Sequence, residues 1–344
     1  MQNRAGFKGN LSVTAMGIMP HEDKDRALEL ALEMDIPFWP QLPRVSFYED
    51  MYVQAMENFP GVIIDGNKNK IYIDTKRFLD EIHDYLEKEG DPEKFILSEK
   101  YSLVYRQFLQ YDLSAYKAIR GQIISPISLS LKITDENGIP VIYNDDIRLI
   151  IFSFIQKKLN RQYEELRGKN DHAFIWIDDP GLEFIFNAMC GYDAIKAKKE
   201  MDIFFQGVYG PKGVHLCGKP DWDFLLSLDI DIISFNAFTE GEIFVSYKKA
   251  VDFLRQGKII SWGIVPTYYE DFSREDVMSI VKRIEDIWER FLREGAKKEE
   301  IIENSMLAPA TCNLINPDKT ITVEKSFALL KDVSVYLRSK YNVS

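Results

Sequence analysis

His215-Leu216-Cys217 and, far downstream, Cys312 are the residues whose types and spacing could do chemistry together in this 344-residue chain. Residues i and i+2 of a strand project to the same side, so a His and a Cys at the end of one strand can hold a single ion between them. Cys312 then completes three protein ligands. Two thiolates and one imidazole favour zinc, and three ligands with the fourth position open describe a catalytic zinc site. A free cysteine is more often a small core hydrophobe. Position argues for chemistry here, because both cysteines follow apolar runs that read as strands, and a closed α/β barrel keeps its chemistry at the C-terminal strand ends.

Other polar residues share that position. Asp178 and Asp179 follow Ile175-Trp176-Ile177, and Pro20-His21 follows the first apolar run. Gln41 to Arg44, Ser125-Pro126, Asn236 and Thr267 to Tyr269 occupy the ends of the second, third, sixth and seventh. Each alone reads equally as a helix cap or turn residue; together they would converge on one mouth. Cys190, in the apolar run 184–190, reads as core, His83 as a solvated side chain on a charged helix, and His172 as lying at the N-terminal end of a strand. There is no P-loop, G-x-G-x-x-G or G-x-S-x-G motif, so nucleotide hydrolysis, dinucleotide chemistry and the common serine-hydrolase route have no local signature.

The elements that must position these residues follow from periodicity. Short apolar runs alternate with longer amphipathic segments, as repeated βα units require. Candidate strands lie at 11–17, 37–42, 119–124, 173–177, 213–216, 230–235, 258–264 and 306–308, and clear helices at 22–34, 273–294 and 323–341. Ser273 is expected to cap the second of these, with Asp276 closing the capping box. Eight strands predict a (β/α)8 TIM barrel, a single domain over 1–344. Residues 61–74 read as a β-hairpin around Gly66-Asn67-Lys68-Asn69, with helices at 75–88 and 99–111. Residues 61–112 are therefore expected to be an insertion after the second strand.

Composition excludes several classes of function. A 46% hydrophobic content with 14 Pro and 19 Gly is globular, not disordered or collagen-like. With 43 Lys+Arg against 54 Asp+Glu the net charge is −11, which argues against nucleic acid and anionic membranes as partners. Three cysteines make no disulfide framework and suit a reducing compartment. Residues 1–9, with Arg4 and Lys8, lack a signal-peptide core, and no apolar run approaches the roughly 18 residues of a membrane span, so a soluble cytoplasmic protein is expected.

Five segments, in order and over nearly the whole chain, resemble the catalytic barrel of cobalamin-independent methionine synthase and its uroporphyrinogen decarboxylase and coenzyme M methyltransferase relatives. They are MGIMPHE (16–22), IWIDDPGLEF (175–184), VHLCG (214–218), LDIDIISFNAF (228–238) and APATCNL (308–314). The resemblance implies methyl transfer from methyltetrahydrofolate or methylcobalamin to homocysteine or another small thiol. It places one Zn2+ on His215, Cys217 and Cys312, and Asp178 on the substrate's amino group. In that frame His21 and Asp178 are the expected catalytic residues, and Gly17, Ser125, Asn236 and Tyr268 join Asp178 as substrate contacts. Trp262, Tyr268 and Tyr269 could stack on a pterin, or a corrinoid protein could dock there. Asn236 stands where synthase-type relatives supply a glutamate to the metal, and Ile18 where they carry a serine. The glutamate of their second strand end has no clear counterpart among Gln41 to Arg44. Two rival readings are a metal-free decarboxylase gripping substrate carboxylates with Arg44 and Arg120, and a non-catalytic zinc- or corrinoid-binding partner.

Overall fold

Residues 119–124 and 173–178 are runs with little polar interruption, as strands are when both faces of a sheet are covered. In the computed structural model, which describes residues 5–187 and 190–343, nine strands form: β1 (Ser12–Val13), β2 (Val62–Asp65), β3 (Lys70–Ile73), β4 (Ile119–Ile124), β5 (Ala173–Asp178), β6 (Lys212–Leu216), β7 (Ile232–Phe235), β8 (Ile259–Val265) and β9 (Ser305–Pro309). Seven of them make one parallel sheet in the order β1-β9-β8-β7-β6-β5-β4. The fold is α/β and barrel-like. Arg4, Ala188 and Met189 lie outside the described residues.

The expected second strand, 37–42, forms no ladder. Its backbone is nonetheless bonded on both sides, Ile36 N to Val13 O (3.0 Å) and Gln41 N to Gly17 O (2.7 Å) towards the β1 side, and Arg120 N to Pro37 O (3.0 Å) towards β4. Single bridges join Ile18 to Gln41 and Phe38 to Arg120. Pro37, Pro40 and Pro43 lack the N–H groups that a continuous ladder needs. The first strand is also shorter than expected, because Leu11 still has φ 59° where an extended residue would begin it.

Side chains alternate across the sheet. Phe174, Trp176, Met16, Ile232, Ile259, Met306 and Ala308 form a compact inner cluster with Ala5 and Phe7, while Ile175, Ile177 and Val214 belong to the large cluster under the helices. Gly213 makes room for this inner packing, since a Cβ there would sit 2.7 Å from Trp176 Cδ1 and 2.9 Å from Ile175 O.

Helices lie near their expected positions, with two instructive differences. Val277–Arg293 is capped by Asp276 and Ser279, not by Ser273 and Asp276. A separate turn of helix, Tyr269–Phe272, ends at Ser273, whose hydroxyl donates to Glu270 O (3.1 Å). The hairpin β2–β3 and the helix Thr75–Glu87 form as expected, but the helix expected at 99–111 shrinks to Tyr105–Phe108. The helix Thr75–Glu87 packs on the long helix Asp145–Arg167 through Tyr85, whose ring is 6.1 Å from that of Phe154, and Phe59 (5.2 Å) and Phe95 (5.5 Å) meet the same ring. Among the described residues no helix is long and apolar enough to cross a membrane.

Candidate active site

Strand register brings the site together. Asp178 pairs with His215, His215 with Ser234, and Ser234 with Ser261, so one row across β5 to β8 carries a carboxylate, an imidazole and two hydroxyls. The His215 ring lies against Trp176 (centroids 5.4 Å apart, planes 16° apart), and the Arg120 guanidinium covers Trp176 at 3.9 Å. His215 Nδ1 is 3.0 Å from Ser234 Oγ, and its Nε2 is 3.1 Å from Cys217 Sγ. Burial, reinforced by Arg120, draws the imidazole pKa down to about 3, so it is neutral at physiological pH, the form in which histidine binds metals.

Cys217 follows β6 directly and Cys312 lies just beyond β9. The two thiols influence each other, and that mutual influence holds Cys312 below the ordinary thiol value and, with burial, pushes Cys217 well above it. Asp178, last residue of β5, is pushed up to about 7 by burial, against the pull of Arg120 and with added repulsion from Asp179. Asp178, His215, Cys217 and Cys312 line one cavity of about 150 Å³ with Asp179, Met16, Gly17, Ile18, Met51 and Pro180. Gly17 is required by close approach, since a Cβ there would meet the Gln122 side chain at 2.5 Å. That amide is itself pinned, donating to Trp39 O (2.8 Å) and accepting from Arg120 Nη1 (3.0 Å).

Four expected contacts lie off this cavity's wall. Ser125 is wholly buried and caps the helix Pro126–Lys132, accepting from Ile127 N at 3.1 Å. Asn236 caps the helix Ala237–Phe244, accepting from Thr239 N at 3.3 Å. His21 is buried with Nε2 3.3 Å from Glu324 Oε1, and Glu324 is held in turn by Arg26. Tyr268 is exposed at the rim, near enough that the Cys312 and Cys217 charges, after burial, raise its hydroxyl pKa. Asp179 is structural, accepting from Ser128 Oγ (2.5 Å), which also accepts from Gly181 N (2.7 Å). Met51, supplied by the short helix Met51–Ala55, and Ser234 carried no signal in the sequence. Cys190 is half-buried against the core, and His83 is exposed beside Glu87.

A zinc ion suits this donor set. The two thiols and His215 Nε2 face one cavity, and Ser234 engages the other imidazole nitrogen, the kind of outer contact that fixes a ligating histidine's tautomer. Among the described residues, no three His, Cys, Asp or Glu side chains already stand in a ligating cluster. The match is therefore one of donor chemistry and proximity. The cations required by a decarboxylase are committed elsewhere. Arg120 is fully buried, donating to Thr14 Oγ1 (3.1 Å), Gln122 Oε1 and Ala15 O, while Arg44 reaches Leu314 O (3.1 Å) outside the cavity.

No protein-family model matches the chain, and no curated protein does. Among solved structures, a methyltransferase from Methanosarcina mazei superposes with a TM-score of 0.54 over 95% of this chain and 94% of its own, at 11% identity. A B12-independent methionine synthase from Shewanella sp. W3-18-1, in complex with selenomethionine, gives 0.49 over 93% and 89% at 13% identity. The first likeness establishes a shared fold.

Proposed function

We propose that this chain is a zinc-dependent methyltransferase that moves a methyl group from methyltetrahydrofolate or methylcobalamin, the latter free or on a corrinoid protein, to a small thiol. The observation that carries this reading is the facing of His215, Cys217 and Cys312 into one cavity beside Asp178. The fold shared with a methyltransferase is in keeping with it. Zinc held by the three side chains would lower the pKa of a bound acceptor thiol, so that its proton is lost to solvent and the sulfur stays a nucleophilic thiolate.

The chain's own residues supply the rest. Ser234 and Trp176 hold the His215 ring, and Asp178 offers carboxylate oxygens to the polar end of the acceptor. Met16, Ile18, Met51 and Pro180 keep the reacting sulfur in an apolar wall that limits competing water. In the transfer, a sulfur–carbon bond forms as the methyl carbon leaves nitrogen or cobalt, which keeps the bonding electron pair.

Metal content tests the reading. Native protein is expected to carry about one zinc per chain by mass spectrometry, and Cys217→Ser and Cys312→Ser each to lose it. Zinc-free native protein, prepared without chelators, would refute it.

A further inference from the structure

We propose that Ser261 is a positioning residue for the candidate ligand His215: it accepts the hydroxyl proton of Ser234, which in turn accepts the imidazole proton. The inference rests on the zinc reading above and goes beyond its three ligands. It begins from a count of protons. A neutral imidazole has one N–H, so an imidazole that binds a metal through Nε2 carries its proton on Nδ1 and donates from there. Ser234 Oγ, 3.0 Å from Nδ1, is then the acceptor, and its own O–H needs another. Ser234 is wholly buried, where an unmade hydrogen bond is costly.

Register leaves one candidate. Ser234 pairs with His215 on β6 and with Ser261 on β8. Two residues to either side of it along the chain are Ile232, which is apolar, and Asn236, whose side-chain oxygen already accepts from Thr239 N at 3.3 Å. Ser261 is also wholly buried, and among the described residues its hydroxyl oxygen has no hydrogen-bond partner. Its neighbour on the far side of the row, Met306, offers a thioether, a weak acceptor. Neighbouring strands stand about 4.8 Å apart, a gap that two serine side chains span when rotation about χ1 turns them together. A buried hydroxyl without a partner thus stands beside a buried hydroxyl whose proton needs an acceptor once His215 binds metal.

Zinc affinity and stability of the full chain, measured separately, test this. By competition with a chromophoric chelator, Ser261→Ala is expected to lower zinc affinity roughly tenfold. The melting temperature of the chelated variant is expected to hold or rise, because the lost hydroxyl has no partner to forfeit. In a Ser234→Ala background the same substitution is expected to change zinc affinity less than about twofold. Ser261→Thr, which keeps the hydroxyl, is expected to recover most of the affinity. Histidine nitrogen-15 spectra read the ring directly in a chain with four histidines. Zinc-loaded native protein is expected to show the His215 proton on Nδ1, and Ser261→Ala to shift that resonance. Unchanged affinity in Ser261→Ala, an equal loss in the Ser234→Ala background, or a zinc-loaded imidazole protonated on Nε2 would each overturn the inference and leave the zinc reading standing. A Ser261→Ala protein that does not fold would do the same, since the hydroxyl would then serve the fold and not the ligand. Zinc-free native protein would bring down both.

Discussion

The imidazole of His215 lies nearly parallel to the indole of Trp176, with ring centroids 5.4 Å apart and planes 16° apart. Trp176 is in turn held by the Arg120 guanidinium on one side and needs the missing side chain of Gly213 on another. The candidate ligand is thus fixed by packing from below and by Ser234 at its side. Its remaining nitrogen points at Cys217.

Removing the side support should loosen the metal more than the fold. Ser234→Ala leaves the buried Nδ1 of His215 without its partner, which costs about 1–3 kcal/mol of stability. Zinc affinity is expected to fall roughly 10- to 100-fold. Competition with a chromophoric chelator reads the affinity, and a thermal melt of the chelated protein reads the stability.

Gly213→Ala tests the support from below. The new methyl would overlap Trp176 and the Ile175 carbonyl, so strain of about 1–3 kcal/mol is expected. Denaturant unfolding should show the loss, and the near-ultraviolet circular dichroism of the tryptophans should change with it. An unaltered spectrum and midpoint would mean that Trp176 does not depend on this glycine.

Ser128, on the helix Pro126–Lys132 that follows β4, anchors the segment after β5 by bridging Asp179 and the Gly181 amide. Ser128→Ala strips a buried carboxylate of a short hydrogen bond, and bonds to charged groups contribute about 1.5–3 kcal/mol. The melting temperature should drop accordingly. Ser128→Thr, which keeps the hydroxyl, should retain more of the stability than Ser128→Ala.

Lys158 predicts how stability responds to alkali. Its ammonium is buried, donates to Gln54 O at 3.2 Å and lies 3.8 Å from Glu57. Burial draws its pKa from 10.5 down to about 8, with Glu57 opposing the shift. The unfolded chain holds that proton up to the higher value, so between pH 8 and 10.5 it binds more protons than the folded chain, and this group's contribution to stability rises with pH. The full rise is about 3 kcal/mol. Unfolding free energies of native protein and Lys158→Met, measured across that range, should diverge, with the native protein gaining relative to the variant. Parallel curves would place the lysine's proton elsewhere.

What the sequence determined is what depends on neighbours along the chain. The apolar runs 119–124 and 173–178 had to be covered strands, and the amphipathic run ending at Tyr341 had to be a helix, because hydrophobic period follows from backbone geometry. The i, i+2 spacing likewise put His215 and Cys217 on one side of the β6 end. The three prolines of 37–43 could have warned against a regular second strand. Only the tertiary structure could decide which polar atoms remain available. Ser125 and Asn236 spend theirs on helix N-termini, His21 on Glu324 and Arg120 on the interior, while Asp178 faces a cavity that Met51 reaches from another part of the chain. A residue's type states which bonds it can make; which partner reaches it first is set by packing between segments distant in sequence.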